Sequence, residues 1–208
     1  MIENVFPTAV GFYELDKPVT EKELQFVKDL ETRANEGNIT SIDNYLLKAK
    51  EMKRIAAFID KCVCDYFKEV YAPKHKVNPY VTQSWANYTM KGQYHHKHSH
   101  PNSFIPGVFY VSAMPSRDRI YFYKDGYQQI KVTTEDWNQW NSESWWFPVE
   151  TGKIVLFPSH LTHMVETVQS EDTRISIAFN TFLEGVTGDN QNLTELLLWL
   201  KRYKPWCL

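Results

Sequence analysis

The sequence predicts a mainly β fold with flanking helices, built on a sandwich or barrel of antiparallel strands. Three observations carry this. Between Val77 and Thr181, short runs rich in aromatic and β-branched residues recur. Turn-forming residues separate them: Met90-Lys91-Gly92, Pro115-Ser116, Asp125-Gly126, Thr151-Gly152 and Ser170-Glu171-Asp172. Helical spacing is confined to the segments before and after this stretch. At 208 residues the chain is expected to form a single domain, 1–208. The N-terminal strand and helices take 1–76, the β core 77–182, and a C-terminal helix 190–204.

Taken in order, Val5–Leu15 mixes β-branched and aromatic residues and reads as a strand. Thr20 with Glu23 is a capping box that opens a helix with Leu24, Val27 and Leu30 on one face, closed by Gly37. A second helix carries Ile55, Phe58, Ile59, Cys62, Tyr66 and Val70 at spacings of three and four, with Pro73 just past its end. The strands that follow are Tyr80–Thr89, Phe104–Ala113, Ile120–Tyr123, Gln129–Thr133, Lys153–Phe157, His163–Val168 and Arg174–Thr181. Seven or eight short strands at such spacing imply antiparallel packing in two layers or a closed barrel. Asn192 with Glu195 is expected to cap a last helix through Leu196–Leu200, ending before Pro205.

Composition excludes several functions. With 23 basic and 25 acidic residues the net charge is −2, so neither nucleic acid nor an anionic membrane is an expected partner. No stretch approaches the roughly 20 apolar residues that span a bilayer. Nor does the N-terminus have the basic start and apolar run of a signal peptide. Cys62, Cys64 and Cys207 make neither an even disulfide set nor a zinc pattern, which points to reduced thiols and a cytoplasmic location. Aromatics are abundant at 15%. Exposed ones could support a homodimer. The segment Trp137–Trp146 holds four of the seven tryptophans and is expected to cover a sheet edge rather than form a substrate lid.

The chemistry concentrates in the histidines. Six of seven fall in two places: His95, His96, His98 and His100, then His160 and His163. In a strand alternate side chains share a face, so His96, His98 and His100 project one way and His95 the other. A His-x-His pair can give two imidazoles to one metal, with Fe, Zn, Cu and Ni all suited. In Arg174-Ile175-Ser176-Ile177-Ala178-Phe179-Asn180, Arg174, Ser176, Ala178 and Asn180 share one face. An arginine among small and polar neighbours is poised to hold a carboxylate bidentately, with Ser176 adding a hydroxyl.

These residues resemble the 2-oxoglutarate/Fe(II)-dependent dioxygenases, in particular a group of small oxygenases with a His-x-His-Pro segment. The match runs through Trp85-Ala86-Asn87-Tyr88, Gly92, His98-Ser99-His100-Pro101-Asn102-Ser103 and Pro106–Val111. It continues through Trp146-Phe147-Pro148, Gly152–Ser159, Leu161-Thr162-His163 and Arg174–Ile177. The resemblance implies a double-stranded β-helix (a jelly roll, cupin-like) with one non-haem iron. It also implies Fe(II), 2-oxoglutarate as co-substrate and O2, and hydroxylation of a substrate with release of succinate and CO2. Carried over residue by residue, His98 is the first ligand, His100 occupies the usual carboxylate position and His163 is the distal ligand. Arg174 and Ser176 match the Arg-x-Ser pair that grips 2-oxoglutarate. Tyr110 is placed to donate its hydroxyl to the same molecule, with Asn87, Tyr88 and Asn180 as polar groups of its pocket.

Three neutral imidazoles would leave Fe(II) with two units of positive charge instead of one, favouring anionic co-substrates. A His96-x-His98 register satisfies the same geometry, but Pro101-Asn102-Ser103 after His100 favours His98 and His100. Two other readings remain: a three-histidine cupin-type dioxygenase without 2-oxoglutarate, and a non-catalytic metal-binding module. Arg174-x-Ser176 argues against the first. The open coordination positions left by three ligands argue against the second. The prime substrate, a small molecule or a peptide, is not legible.

Overall fold

The structure is a computed structural model that describes residues 1–126, 130 and 132–198. In chain order the elements are β1 (Gly11–Glu14), α1 (Glu21–Lys28), β2 (Thr32–Ala34), β3 (Ile39–Ser41), two 3₁₀ turns (Leu46–Lys48 and Lys50–Met52) and α2 (Lys53–Tyr71). Then come β4 (Val77–Thr89), β5 (His95–His98), β6 (Gly107–Ser112), β7 (Arg119–Tyr123) and β8 (Ser144–Pro148). The last are β9 (Lys153–Leu156), β10 (His163–Val165), β11 (Arg174–Thr187) and β12 (Leu196–Leu198). The larger sheet has the order β1-β9-β6-β11-β4-β3-β2, with β12 also on β11; the smaller is β5-β10-β7-β8. Their ladders are antiparallel throughout.

The two faces of the larger sheet have different tasks, and strand alternation assigns them. Phe109, Ile154, Leu156, Ile175, Ile177 and Phe179 pack with the helices, against Ile55, Ile59 and Phe67 of α2. Tyr110, Val155 and Phe157 point the other way and meet Ile120 and Phe122 of the smaller sheet. Helix α2 therefore covers one face as an amphipathic stripe, each fully buried Ile or Phe contributing roughly 1.5–3 kcal/mol. The opposite face is left to enclose a cavity between the sheets. This is a two-sheet β fold with helices on one side, as the strand spacing predicts.

The capping box forms: Thr20 Oγ1 accepts from the Glu23 backbone N–H (3.2 Å), and Glu23 Oε2 accepts from that of Thr20 (2.8 Å). Glu23 is buried and also takes two bonds from Arg54 of α2, at 2.9 and 2.6 Å. Burial alone would raise this carboxyl, but the Arg54 guanidinium and the Thr20 bonds hold it below the ordinary value of 4.5. A group lowered in the folded state contributes stability above its unfolded pKa and loses it as pH falls through the folded one. Glu23→Ala should therefore cost roughly 1–3 kcal/mol at neutral pH. Its deficit relative to wild type should shrink below pH 4.5 in thermal melts; a pH-independent deficit would exclude the ion pair as the cause.

Several expected boundaries shift. Helix α1 stops at Lys28 and Gly37 does not close it. Instead Gly37 (φ +82°) turns the β2–β3 hairpin, where a Cβ would meet the Tyr94 carbonyl oxygen at 2.7 Å. The first strand is shorter than Val5–Leu15, and β11 runs six residues beyond Thr181. The tryptophan segment ends in a strand of its own: β8 is one of the two edges of the smaller sheet among the described residues, with Arg119 stacked 3.9 Å over Trp146. Of the strand expected over Gln129–Thr133, positions 129 and 131 lie outside the described residues, and Ile130, Val132 and Thr133 are not in a strand.

The C-terminal helix expected over 190–204 is contradicted where the structure describes it. Leu196–Leu198 is a strand, paired with Gly185–Thr187. Residues 188–195 make the connecting turn, with Gly188 and Leu193 at positive φ and Asp189 N–H donating to Thr194 Oγ1 (3.0 Å). A run of three leucines has no period, so it fits a strand as well as a helix, and the free edge of β11 decides the matter. Positions 199–204 lie outside the described residues. No helix among the described residues is long and apolar enough to cross a membrane.

Candidate metal centre

Strands β5 and β10 place His98 and His163 directly opposite each other. His100 lies two residues past the end of β5, held there by its backbone N–H on the Ser159 carbonyl (3.0 Å). The three rings converge so that their ligand nitrogens all lie within 4.8 Å of one another. His100 and His163 are buried and His98 half-buried.

Hydrogen bonding settles which nitrogens face inward. His98 Nδ1 bonds the His96 carbonyl (2.8 Å), His163 Nδ1 the Leu161 carbonyl (3.2 Å), and His100 Nδ1 the Asn180 side-chain oxygen (2.7 Å). These oxygens only accept, so in each neutral ring the proton sits on Nδ1 and Nε2 keeps its lone pair. Yet His100 Nε2 and His163 Nε2 stand 3.3 Å apart. With both protons on Nδ1, that contact is not a hydrogen bond; two lone pairs facing each other at this range suit a shared cation. Burial, then the neighbouring imidazoles, pushes His98 down, His100 to about 4 and His163 well below its ordinary value. All three are neutral near pH 7, as metal ligation requires.

The cavity continues along the inner face of the larger sheet. Asn87, Ser176 and Tyr110 form one row across β4, β11 and β6, because Ser176 is opposite both of the others. Arg174 lies two residues along the same face, only 4% exposed, with Nη2 donating to Thr89 Oγ1 (3.1 Å). Among the described residues no carboxylate lies within ion-pairing distance of it. Burial lowers this guanidinium, while Tyr110, Asp118 and Glu166 act to raise it. The Tyr110 hydroxyl and the Asn87 side-chain oxygen are also buried without a partner. Buried polar groups are normally satisfied, so a cation without an ion-pair partner and a hydroxyl and an amide oxygen without a hydrogen bond among the described residues, all around one cavity, suit a polar ligand. An anionic carboxylate fits, since a guanidinium can grip it with two parallel N–H bonds.

Thus His98, His100, His163, Asn87, Tyr110, Arg174 and Ser176 line one cavity. Tyr88 does not join them: it lies on the helix-facing side of β4, its hydroxyl bonded to the Val27 carbonyl. Asn180 reaches the site only through His100. His160 is exposed. His95, expected to face away, lines the cavity and stacks on His98 at 4.7 Å and 19°. A bulge is the cause: opposite Val165 stands His95, not His96, so one extra residue in β5 turns His95 to the His98 side. Trp85 also enters the wall, its ring 6.3 Å from that of His100. It lies two residues before Asn87, so strand periodicity alone could have found it.

Residues 83–180 match the model of a family described as "Putative 2OG-Fe(II) oxygenase". No curated protein matches the chain in sequence. Solved structures share the fold. An oxidoreductase of the 2OG-Fe(II) oxygenase family from Burkholderia pseudomallei aligns at TM-score 0.54 and 10% identity, covering 76% of this chain and 74% of that one. HygX from Streptomyces hygroscopicus, with nickel, 2-oxoglutarate and hygromycin B bound, aligns at 0.57 and 13%, covering 84% and 82%. SnoN, the non-haem α-ketoglutarate-dependent epimerase of nogalamycin biosynthesis, aligns at 0.57 and 9%, covering 83% and 78%.

Proposed function

We infer, from the match of residues 83–180 to the model of a family described as "Putative 2OG-Fe(II) oxygenase", that this chain is an enzyme that oxidises a substrate with 2-oxoglutarate and O2 at a three-histidine iron site. Nε2 of His98, His100 and His163 would hold Fe(II), and Arg174 with Ser176 would hold the distal carboxylate of 2-oxoglutarate. The supporting observation is the pairing of two features in one cavity: three inward lone pairs at one place and, at another, a buried guanidinium without an ion-pair partner among the described residues. Iron, 2-oxoglutarate and O2 together supply oxidation of a C–H bond to an alcohol, with the co-substrate leaving as succinate and CO2.

The chain's own residues do the rest. The His96 and Leu161 carbonyls and Asn180 fix each imidazole tautomer before any ligand arrives. Arg174 orients the co-substrate from its far end, and the Tyr110 hydroxyl and Asn87 amide complete the cradle. Trp85, Phe157 and Phe122 pack around the histidines and keep water from the centre. With His100 in place of a carboxylate the ligand set carries no negative charge, which favours the dianionic co-substrate electrostatically. A 2-oxoglutarate-independent dioxygenase has no use for Arg174, and that residue supports the 2-oxoglutarate reading. The direct test is succinate release with Fe(II), 2-oxoglutarate and O2. Iron-dependent release supports the assignment; none, with iron and 2-oxoglutarate both bound, would overturn it.

The odd cysteine count, with Cys62 and Cys64 as free thiols on α2, supports a cytoplasmic location. The slight net negative charge favours a small-molecule or peptide substrate over nucleic acid or a membrane surface. Trp137, Trp140 and Trp146, all exposed, would serve a homodimer contact.

A further inference from the structure

We propose that the rim of the cavity holds a second divalent-cation position, formed by His95, His96 and His98, which cannot be filled together with the inner one. Its ligand nitrogens lie within 4.8 Å of one another, as tight a group as the inner triad. The ring centroids are 4.7–5.1 Å apart. The bulge in β5 creates this group, since it brings adjacent His95 and His96 around His98 where a regular strand would send them to opposite faces. The Glu36 carboxylate stands 3.9 Å from His96 Nδ1 and offers an oxygen beside the imidazoles. Three imidazoles with a nearby carboxylate suit first-row divalent cations such as Zn(II), Co(II) and Fe(II).

His98 belongs to both groups. Its Nδ1 is engaged by the His96 carbonyl, so a single nitrogen is left to bind metal and it can serve one ion at a time. All three outer rings are half-buried, whereas His100 and His163 of the inner group are buried. An ion arriving from solvent therefore meets the outer set first. It would move inward by exchanging His95 and His96 for His100 and His163 while His98 holds it throughout. This deepens the iron-site reading above but needs neither 2-oxoglutarate nor O2.

The test is Zn(II) binding measured by competition with a chromophoric chelator, with far-UV circular dichroism as the folding control. Wild type should bind one equivalent, and no binding there would count against the iron-site reading itself. In the double variant His100→Ala/His163→Ala, one equivalent should still bind, more weakly. Adding His95→Ala and His96→Ala should abolish it. If the folded double variant binds no zinc, or if the residual equivalent survives loss of His95 and His96, the outer position is refuted. Should the alanine variant fail to fold, His100→Gln/His163→Gln preserves the bulk of both rings and decides the same question.

Discussion

Arg174→Ala should weaken 2-oxoglutarate binding by about 2–5 kcal/mol, the cost of truncating one side of a desolvated charge pair, or roughly 30- to several-thousand-fold in affinity. The same substitution should leave the ligand-free fold as stable as wild type or more so. Arg174 is 4% exposed, its one described bond is to Thr89 Oγ1, and it faces no counter-ion among the described residues. A buried charge without a contact ion pair, compensated only at a distance by Asp118 and Glu166, is a burden on the empty protein, and its removal relieves part of the desolvation cost. A guanidinium that served the fold would give the opposite sign. Tyr110→Phe is the milder companion. Its hydroxyl has no partner, so the melting temperature should hold or rise while 2-oxoglutarate affinity drops by about 0.5–1.5 kcal/mol. Isothermal calorimetry and differential scanning calorimetry on the same samples separate binding from folding. Unchanged 2-oxoglutarate affinity in Arg174→Ala would remove Arg174 from the site.

His163→Ala should empty the inner metal position and leave only weaker binding at the outer one. His163 is the ligand supplied by the middle of the smaller sheet, paired on one side with His98 and on the other with Phe122, and it is 4% exposed. Losing a hydrogen-bond partner behind a ligand typically costs 10–100-fold in metal affinity, so loss of the ligand itself should exceed that. Succinate release should vanish with it. The β10 backbone keeps both ladders, so the fold should survive, as circular dichroism would show. His100→Asp, by contrast, replaces one ligand type with another that Fe(II) accepts, and should retain metal. Stoichiometric, wild-type-affinity metal in His163→Ala would contradict the inner triad.

The features legible in the sequence were those with a short, regular period. Arg174, Ser176 and Ala178 alternate with Ile175, Ile177 and Phe179, so the two faces of β11 could be assigned, and the structure sends one to the cavity and the other to α2. The same rule contradicts the expectation that Asn87 and Tyr88 share the pocket, since neighbours on β4 cannot both face one site, and the structure sends Tyr88 to the helix side. Thr20 and Glu23 made the start of α1 readable because a capping box is a local bond pattern. What stayed hidden was decided at longer range. The bulge that turns His95 inward depends on how β5 pairs with β10, and nothing within His95–His100 marks it. The leucines at 196–198 become a strand because β11 overhangs its other neighbours and presents an edge. Gly37 reads equally well as a helix stop and as a hairpin turn; only the close approach of Tyr94 assigns it to the turn. The link between Asn180 and His100 spans 80 residues and rests on the three-dimensional closeness of β11 and the loop after β5.

The measurement that bears most directly on the cavity is anaerobic calorimetry of the Fe(II)-loaded protein with 2-oxoglutarate, run beside a metal-free control. Three inward Nε2 lone pairs and an Arg174 with no ion-pair partner among the described residues lead to one expected result: 2-oxoglutarate binds with micromolar affinity, and much more weakly without iron. Iron retained with no 2-oxoglutarate binding would contradict it, and would leave a metal centre whose buried arginine serves some other anion.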